Sequence, residues 1–99
     1  MGIHNKSINS DSLFQRIHKP IQNEIDGELV ILNIETSEYF TLNKVGTVIW
    51  NYLNTQRTFS QIVDYLISEY NISKQQCEGE VQDFLNEMVT NGIIVHTNE

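Results

Sequence analysis

Three histidines, one cysteine and thirteen carboxylates are the first places to look for chemistry in this chain. His4, His18 and His96 stand far apart, and none has metal-ligand spacing to another or to Cys77. Cys77 falls on the apolar stripe of a helical pattern. A thiol there is expected to be buried and inert, because reactive cysteines need an electropositive, accessible setting. No glycine-rich phosphate loop or nucleophile elbow occurs. Gly46 and Gly79 stand alone inside helical patterns, each at a cost of about 1 kcal/mol against Ala, and close packing is the simplest reason to keep such a glycine. With no converging acid, base, nucleophile or metal ligands, the expectation is a non-enzyme without a cofactor.

Composition narrows the partners. The chain has 99 residues, 39% of them hydrophobic, enough for one small domain with little room for an enclosed active site. Its net charge of -7 opposes phosphate backbones and anionic membranes and makes a basic or neutral peptide the easier guest. A single cysteine excludes an internal disulfide framework. No apolar run approaches the roughly 18 residues of a membrane span. The start, Met1-Gly2-Ile3-His4-Asn5-Lys6, has neither a signal core nor a myristoylation pattern, so a cytoplasmic location is expected.

The elements that must position any site follow from periodicity. Residues 1–12 are polar and aperiodic and are expected to form a flexible tail, leaving a domain over 13–96. Asp26-Gly27 is a strong type I′ hairpin signal between Ile21–Ile25 and the run Leu29–Ile34. A second polar turn, Glu35-Thr36-Ser37, leads to Glu38–Leu42. The result is a three-stranded antiparallel meander whose last strand is an edge, with Phe14–His18 as a candidate further strand.

From Asn43 the period becomes helical. Val45, Val48, Ile49, Tyr52 and Leu53 share one face behind an Asn43 N-cap. A capping box, Thr58 with Gln61, opens a second helix bearing Phe59, Ile62, Val63, Leu66, Ile67 and Tyr70. Ser73 with Gln76 opens a third bearing Cys77, Val81, Phe84, Leu85, Met88 and Val89, and Ile72 can staple against Cys77. Gly92 is placed to cap it before a short strand, Ile93-Ile94-Val95. The expected class is α+β, winged helix-turn-helix-like, with an N-terminal three-stranded sheet followed by three helices.

Such a fold invites a DNA-binding reading, which the charges oppose. After Arg57 the one basic residue is Lys74, while Asp64, Glu69, Glu78, Glu80, Asp83 and Glu87 populate the second and third helices. The face Glu80, Asp83, Glu87 reads either as a solvated surface or as a dock for a basic partner. Edge and third helix offer something else. An unpaired strand beside an apolar wall is what β-augmentation requires, the backbone supplying hydrogen bonds and the wall supplying pockets. The competing reading makes Phe40, Leu42, Val81, Phe84, Leu85 and Met88 ordinary core, and Trp50 and Tyr52 likewise.

The stretch Tyr39-Phe40-Thr41-Leu42-Asn43-Lys44-Val45-Gly46-Thr47-Val48-Ile49-Trp50 resembles the Y-x-L-N-x-x-G-x-x-I-W segment of PqqD-like proteins, with Phe40 at the position of the motif's Tyr. Asp26, Gly27, Val30 and Leu32 match the D-G-x-x-V-x-L run that often precedes it. Thr58–Val63 resembles the family's second helix, and Val81, Phe84, Leu85, Met88, Gly92 and Ile93 its third helix and closing turn, with Met88 where Leu is commoner. The resemblance covers about residues 20 to 95. It implies a recognition element for ribosomally made precursor peptides, binding the leader as an added strand beside the third strand of the meander and against the third helix. The site residues it implies are Glu38, Tyr39, Phe40, Thr41, Leu42, Cys77, Val81, Phe84, Leu85 and Met88. The form containing Trp50 is most similar to stand-alone lasso-peptide members, which serve a transglutaminase-like leader peptidase. The quinone-cofactor branch, working with a radical-SAM enzyme, is the second reading.

Overall fold

A computed structural model of the chain describes residues 8–18 and 20–97. Among the described residues, six strands and three helices follow in the order β1 (Leu13–Arg16), β2 (Ile21–Ile25), β3 (Glu28–Asn33), β4 (Glu38–Leu42), α1 (Lys44–Tyr52), β5 (Arg57–Thr58), α2 (Phe59–Glu69), α3 (Lys74–Thr90) and β6 (Ile94–Thr97). This is an α+β fold with two antiparallel three-stranded sheets, ordered β2-β3-β4 and β5-β1-β6. No helix among the described residues is long and apolar enough to cross a membrane.

The meander forms where the turn chemistry places it. Asp26 and Gly27 take φ of 54° and 82°, the paired left-handed geometry that lets a two-residue turn follow the twist of its strands. In the next turn Asn33 does the fixing. Its Oδ1 accepts from the N–H groups of Glu35 (3.0 Å) and Thr36 (3.4 Å), and its Nδ2 donates to the Asn91 carbonyl at 3.1 Å. One buried amide thus ties the β3–β4 turn to the end of α3. Alternation does the rest: Leu29, Ile31 and Leu42 face the core, while Ile21, Leu32 and Tyr39 lie in register across the opposite face.

Two expectations need correction. The Phe14–His18 segment does not extend the meander. Its strand is Leu13–Arg16, the centre of the second sheet, between β5 and β6. There Phe14 is fully buried and stacks on His96 with ring centroids 4.6 Å apart. Residues 8–12, expected within a flexible tail, are held against the fold. Residues 1–7 lie outside the described residues, but Ile8 packs on the core, and Ser12 is buried. The carbonyls of Ser10 and Ser12 accept from the N–H groups of Ser60 (3.2 Å) and Phe59 (2.9 Å). These are backbone contacts to the start of α2, invisible to a reading of side-chain periodicity.

The helices begin and end on their own signals. The side chains of Asn43, Thr58 and Ser73 accept from the N–H groups of Gly46, Gln61 and Gln76, satisfying amides that have no partner within the helix. At Thr58 the capping box is complete. At Ser73 only the first half is made, and the Gln76 side chain reaches along the helix, its Nε2 donating to Glu80 Oε2 at 3.1 Å. Gly92, at φ 82°, closes α3: its N–H donates to Val89 O and that of Ile93 to Met88 O, the Schellman pair. Between the layers Trp50 is fully buried, and its indole N–H finds Gln22 Oε1 at 2.9 Å.

Candidate functional site

The strand β4 pairs with β3 on one side, and no strand among the described residues pairs with its other side. Its backbone groups there have the arrangement that accepts an added strand. Along β4, Glu38, Tyr39 and Thr41 are exposed, Phe40 is half-buried against the core, and Leu42 is buried.

Directly after β4 the chain turns into α1, and a cleft of about 580 Å³ opens between the start of α1 and the N-terminal half of α3. Val45, Gly46 and Ile49 form one wall and Cys77, Val81 and Phe84 the other. Leu66, Tyr70 and Ile72 close it from the direction of α2, and Asn43, Glu80 and Asp83 supply its polar groups. Edge and cleft meet at Gly46. A Cβ built there would lie 3.0 Å from Phe84 Cε1 and 3.4 Å from Leu42 Cβ, so the end of β4 and the wall of α3 converge on one bare stretch of backbone. Close packing does explain this glycine. It does not explain Gly79, where an added Cβ would meet nothing within 4 Å.

The ten residues that the resemblance implies divide into three groups. Cys77, Val81 and Phe84 line the cleft, with Phe84 half-buried and the other two almost closed off from solvent. Glu38, Tyr39, Phe40, Thr41 and Leu42 form the edge strand beside it. Leu85 and Met88 are buried in the core and do not line the cleft, so they support the wall from behind. Sequence reasoning missed Val45, Ile49, Tyr70, Ile72, Glu80 and Asp83 as lining residues. The available signal was Gly46, a glycine inside a helix where a close neighbour was needed; Val45, expected on the buried face of α1, is exposed at the mouth of the cleft.

Chemically the cleft is quiet. The Cys77 thiol is pushed above its ordinary range by burial first, then by the negative charges of Glu80 and Glu78, so it stays protonated and is a poor nucleophile. Its Sγ lies 3.9 Å from the Val63 carbonyl. No group of three or more His, Cys, Asp or Glu that could hold a metal occurs among the described residues. The charged residues lining the cleft are both acidic, and α3 as a whole carries four carboxylates against Lys74.

Comparison with known proteins gives this geometry a context. A chain solved as "TbiB1 in Complex with the TbiA(beta) Leader Peptide" superposes with a TM-score of 0.74 at 26% identity, covering 86% of this chain and 99% of its own length. A second, "Lasso peptide synthetase B1 complexed with the leader peptide", has a TM-score of 0.70 over 83% of this chain and 96% of its own. At 20% identity it speaks for the fold alone. No curated protein matches the sequence. The family model described as coenzyme PQQ synthesis protein D matches residues 28–94, more than half of the chain, running through the β4 edge and both walls of the cleft. The chain belongs to the PqqD family.

Proposed function

We propose that this protein is a non-catalytic adaptor that binds the leader of a ribosomally synthesised precursor, in the manner of a lasso-peptide recognition element. The leader adds as a strand to β4 and sets alternate side chains against α3. The observation that carries this reading is the convergence of an open strand edge and an apolar cleft at Gly46. Support comes from the 26%-identical TbiB1 chain, solved with a leader peptide. A leader that is disordered when free loses entropy on binding, and a preformed edge and groove offset that loss. Delivery to a transglutaminase-like leader peptidase then raises the local concentration of the substrate without any chemistry in the adaptor. The family description favours one other reading, a chaperone for a radical-SAM enzyme of quinone-cofactor synthesis. A DNA-binding regulator is opposed by the carboxylates of α3.

The test is the period of the interaction. A leader peptide that binds the protein, N-methylated at one position at a time, is titrated into it and followed by fluorescence anisotropy. Strand addition gives affinity losses that alternate along the peptide, because every second amide faces β4. A uniform or helical pattern of losses overturns the proposal. Thr41→Pro on the edge and Phe84→Ala on the cleft wall provide the matching test on the protein side, with Asp64→Ala on α2 as the control and folding verified for each by a cooperative melt.

A further inference from the structure

We propose that the cleft between α1 and α3 selects, within the strand recruited by β4, a large apolar side chain with a lysine or arginine two positions away on the same face of the strand. The apolar group fills the space over Gly46 and Phe84, and the cation meets Glu80 and Asp83. This rests on the leader-binding reading and adds a chemical preference that neither the fold nor the strand edge dictates.

Three observations carry it. The cleft is apolar where it is deep, walled by Ile49, Leu66, Cys77 and Val81, and its volume of about 580 Å³ is large enough for an aromatic ring. Its charged lining is of one sign. Glu80 and Asp83 stand three residues apart on α3, neighbours on one helix face, and they flank Val81 and Phe84 on the apolar wall. Glu80 is also held in place, since one of its oxygens accepts from Gln76 Nε2 at 3.1 Å. Its charge reaches the interior of the cleft, where it helps push the Cys77 thiol up. A peptide strand whose apolar residue enters this cleft therefore carries the side chains two positions away, which share its face, past two carboxylates. A cation is attracted there and an acidic residue repelled, so the site discriminates by exclusion as well as by attraction. The net charge of -7 adds long-range steering of the same sign.

The experiment needs no identified leader. A display library of random twelve-residue peptides is selected against the whole protein and, in parallel, against the Glu80→Gln/Asp83→Asn double variant. A Glu24→Gln/Glu28→Gln variant, which loses the same charge on the β2–β3 hairpin, controls for general attraction of basic peptides. The expected result is enrichment of an aromatic or large aliphatic residue with Lys or Arg two positions away, on the wild type and on the hairpin control. On the cleft variant the apolar preference remains and the basic preference disappears. One enriched peptide is then expected to bind the cleft variant about three- to tenfold more weakly, as exposed ion pairs allow, with a shallower salt dependence. Apolar enrichment without a basic preference, or a basic preference that survives on the cleft variant, overturns this inference and leaves the leader-binding reading standing. No enrichment at all, or enriched peptides that bind folded Thr41→Pro as tightly as the wild type, overturns both.

Discussion

The ring edge of Phe84 lies 3.0 Å from the point where Gly46 would carry a Cβ, so α3 touches α1 ring against backbone just where the edge strand ends. Alanine at 46 gains about 1 kcal/mol of helix propensity. The same methyl crowds Phe84, Asn43 Oδ1 at 3.3 Å and Leu42, and overpacking of this kind costs about 1–3 kcal/mol. Gly46→Ala is therefore expected to be destabilised by about 1 kcal/mol on balance. Its larger effect is on binding: the displaced ring enters the cleft, and leader affinity falls about tenfold, as for a moderate interface hot spot. Thermal denaturation and anisotropy on the same sample separate the two, and unchanged affinity would move the bound strand away from Phe84.

Gly79→Ala is expected to do the opposite. The position is exposed, within α3, and an added Cβ meets nothing within 4 Å. Removing the conformational freedom of glycine there stabilises the helix by about 0.5–1 kcal/mol, equivalent to several degrees in Tm for a domain of this size. Calorimetry that finds no increase would mean that the glycine serves something outside the isolated domain.

Asn33 links two parts of the fold, and its variants should show it. Asn33→Ala leaves the amides of Glu35 and Thr36 and the carbonyl of Asn91 without their partner. Loss of a part-buried network of this kind costs about 1–3 kcal/mol. Asn33→Asp keeps the acceptor for the turn but sets a carboxylate against the Asn91 carbonyl, and it is expected to be the worse of the two. Urea titrations with a common m-value measure both.

Alkaline pH tests the burial of Cys77. The folded chain holds the thiol proton to higher pH than the unfolded chain does, so this stabilisation is complete below the unfolded pKa. It is lost as pH rises from there through the folded pKa, beginning near pH 8.5 on the free-thiol scale. Wild-type stability should therefore decline relative to Cys77→Ala over that range. Two parallel curves would show that the thiol is not held protonated by the fold.

What could be read from the sequence was local. Asp26-Gly27, the Thr58–Gln61 box and Gly92 each act within a few residues, and each stands in the structure as its chemistry requires. The edge character of β4 followed from its place at the end of a meander. The second sheet was not legible, because β5 is two residues long and the partners of β1 lie in distant parts of the chain. The Gln76 backbone N–H donates to Ser73 as the pattern predicts, but that its side chain reaches Glu80 shows only in the folded helix. Of the cleft, the stripe on α3 was visible. The acidic lip was seen as a face of the helix, but its position over an apolar hollow depends on how α1 and α3 cross.

The pairing of β1 with β6, Leu13 opposite Thr97, also sets an order of events during synthesis. The hairpins of β2, β3 and β4 and the three helices close over short stretches and can form as the chain emerges. The first strand cannot be completed until the last one has left the ribosome, and joining segments so distant in sequence is the slow kind of step. Until then the strand that carries Phe14 has at most its β5 neighbour and lacks its longer partner. The surface that recruits a foreign strand can thus take shape while the protein's own first strand is still waiting for its partner.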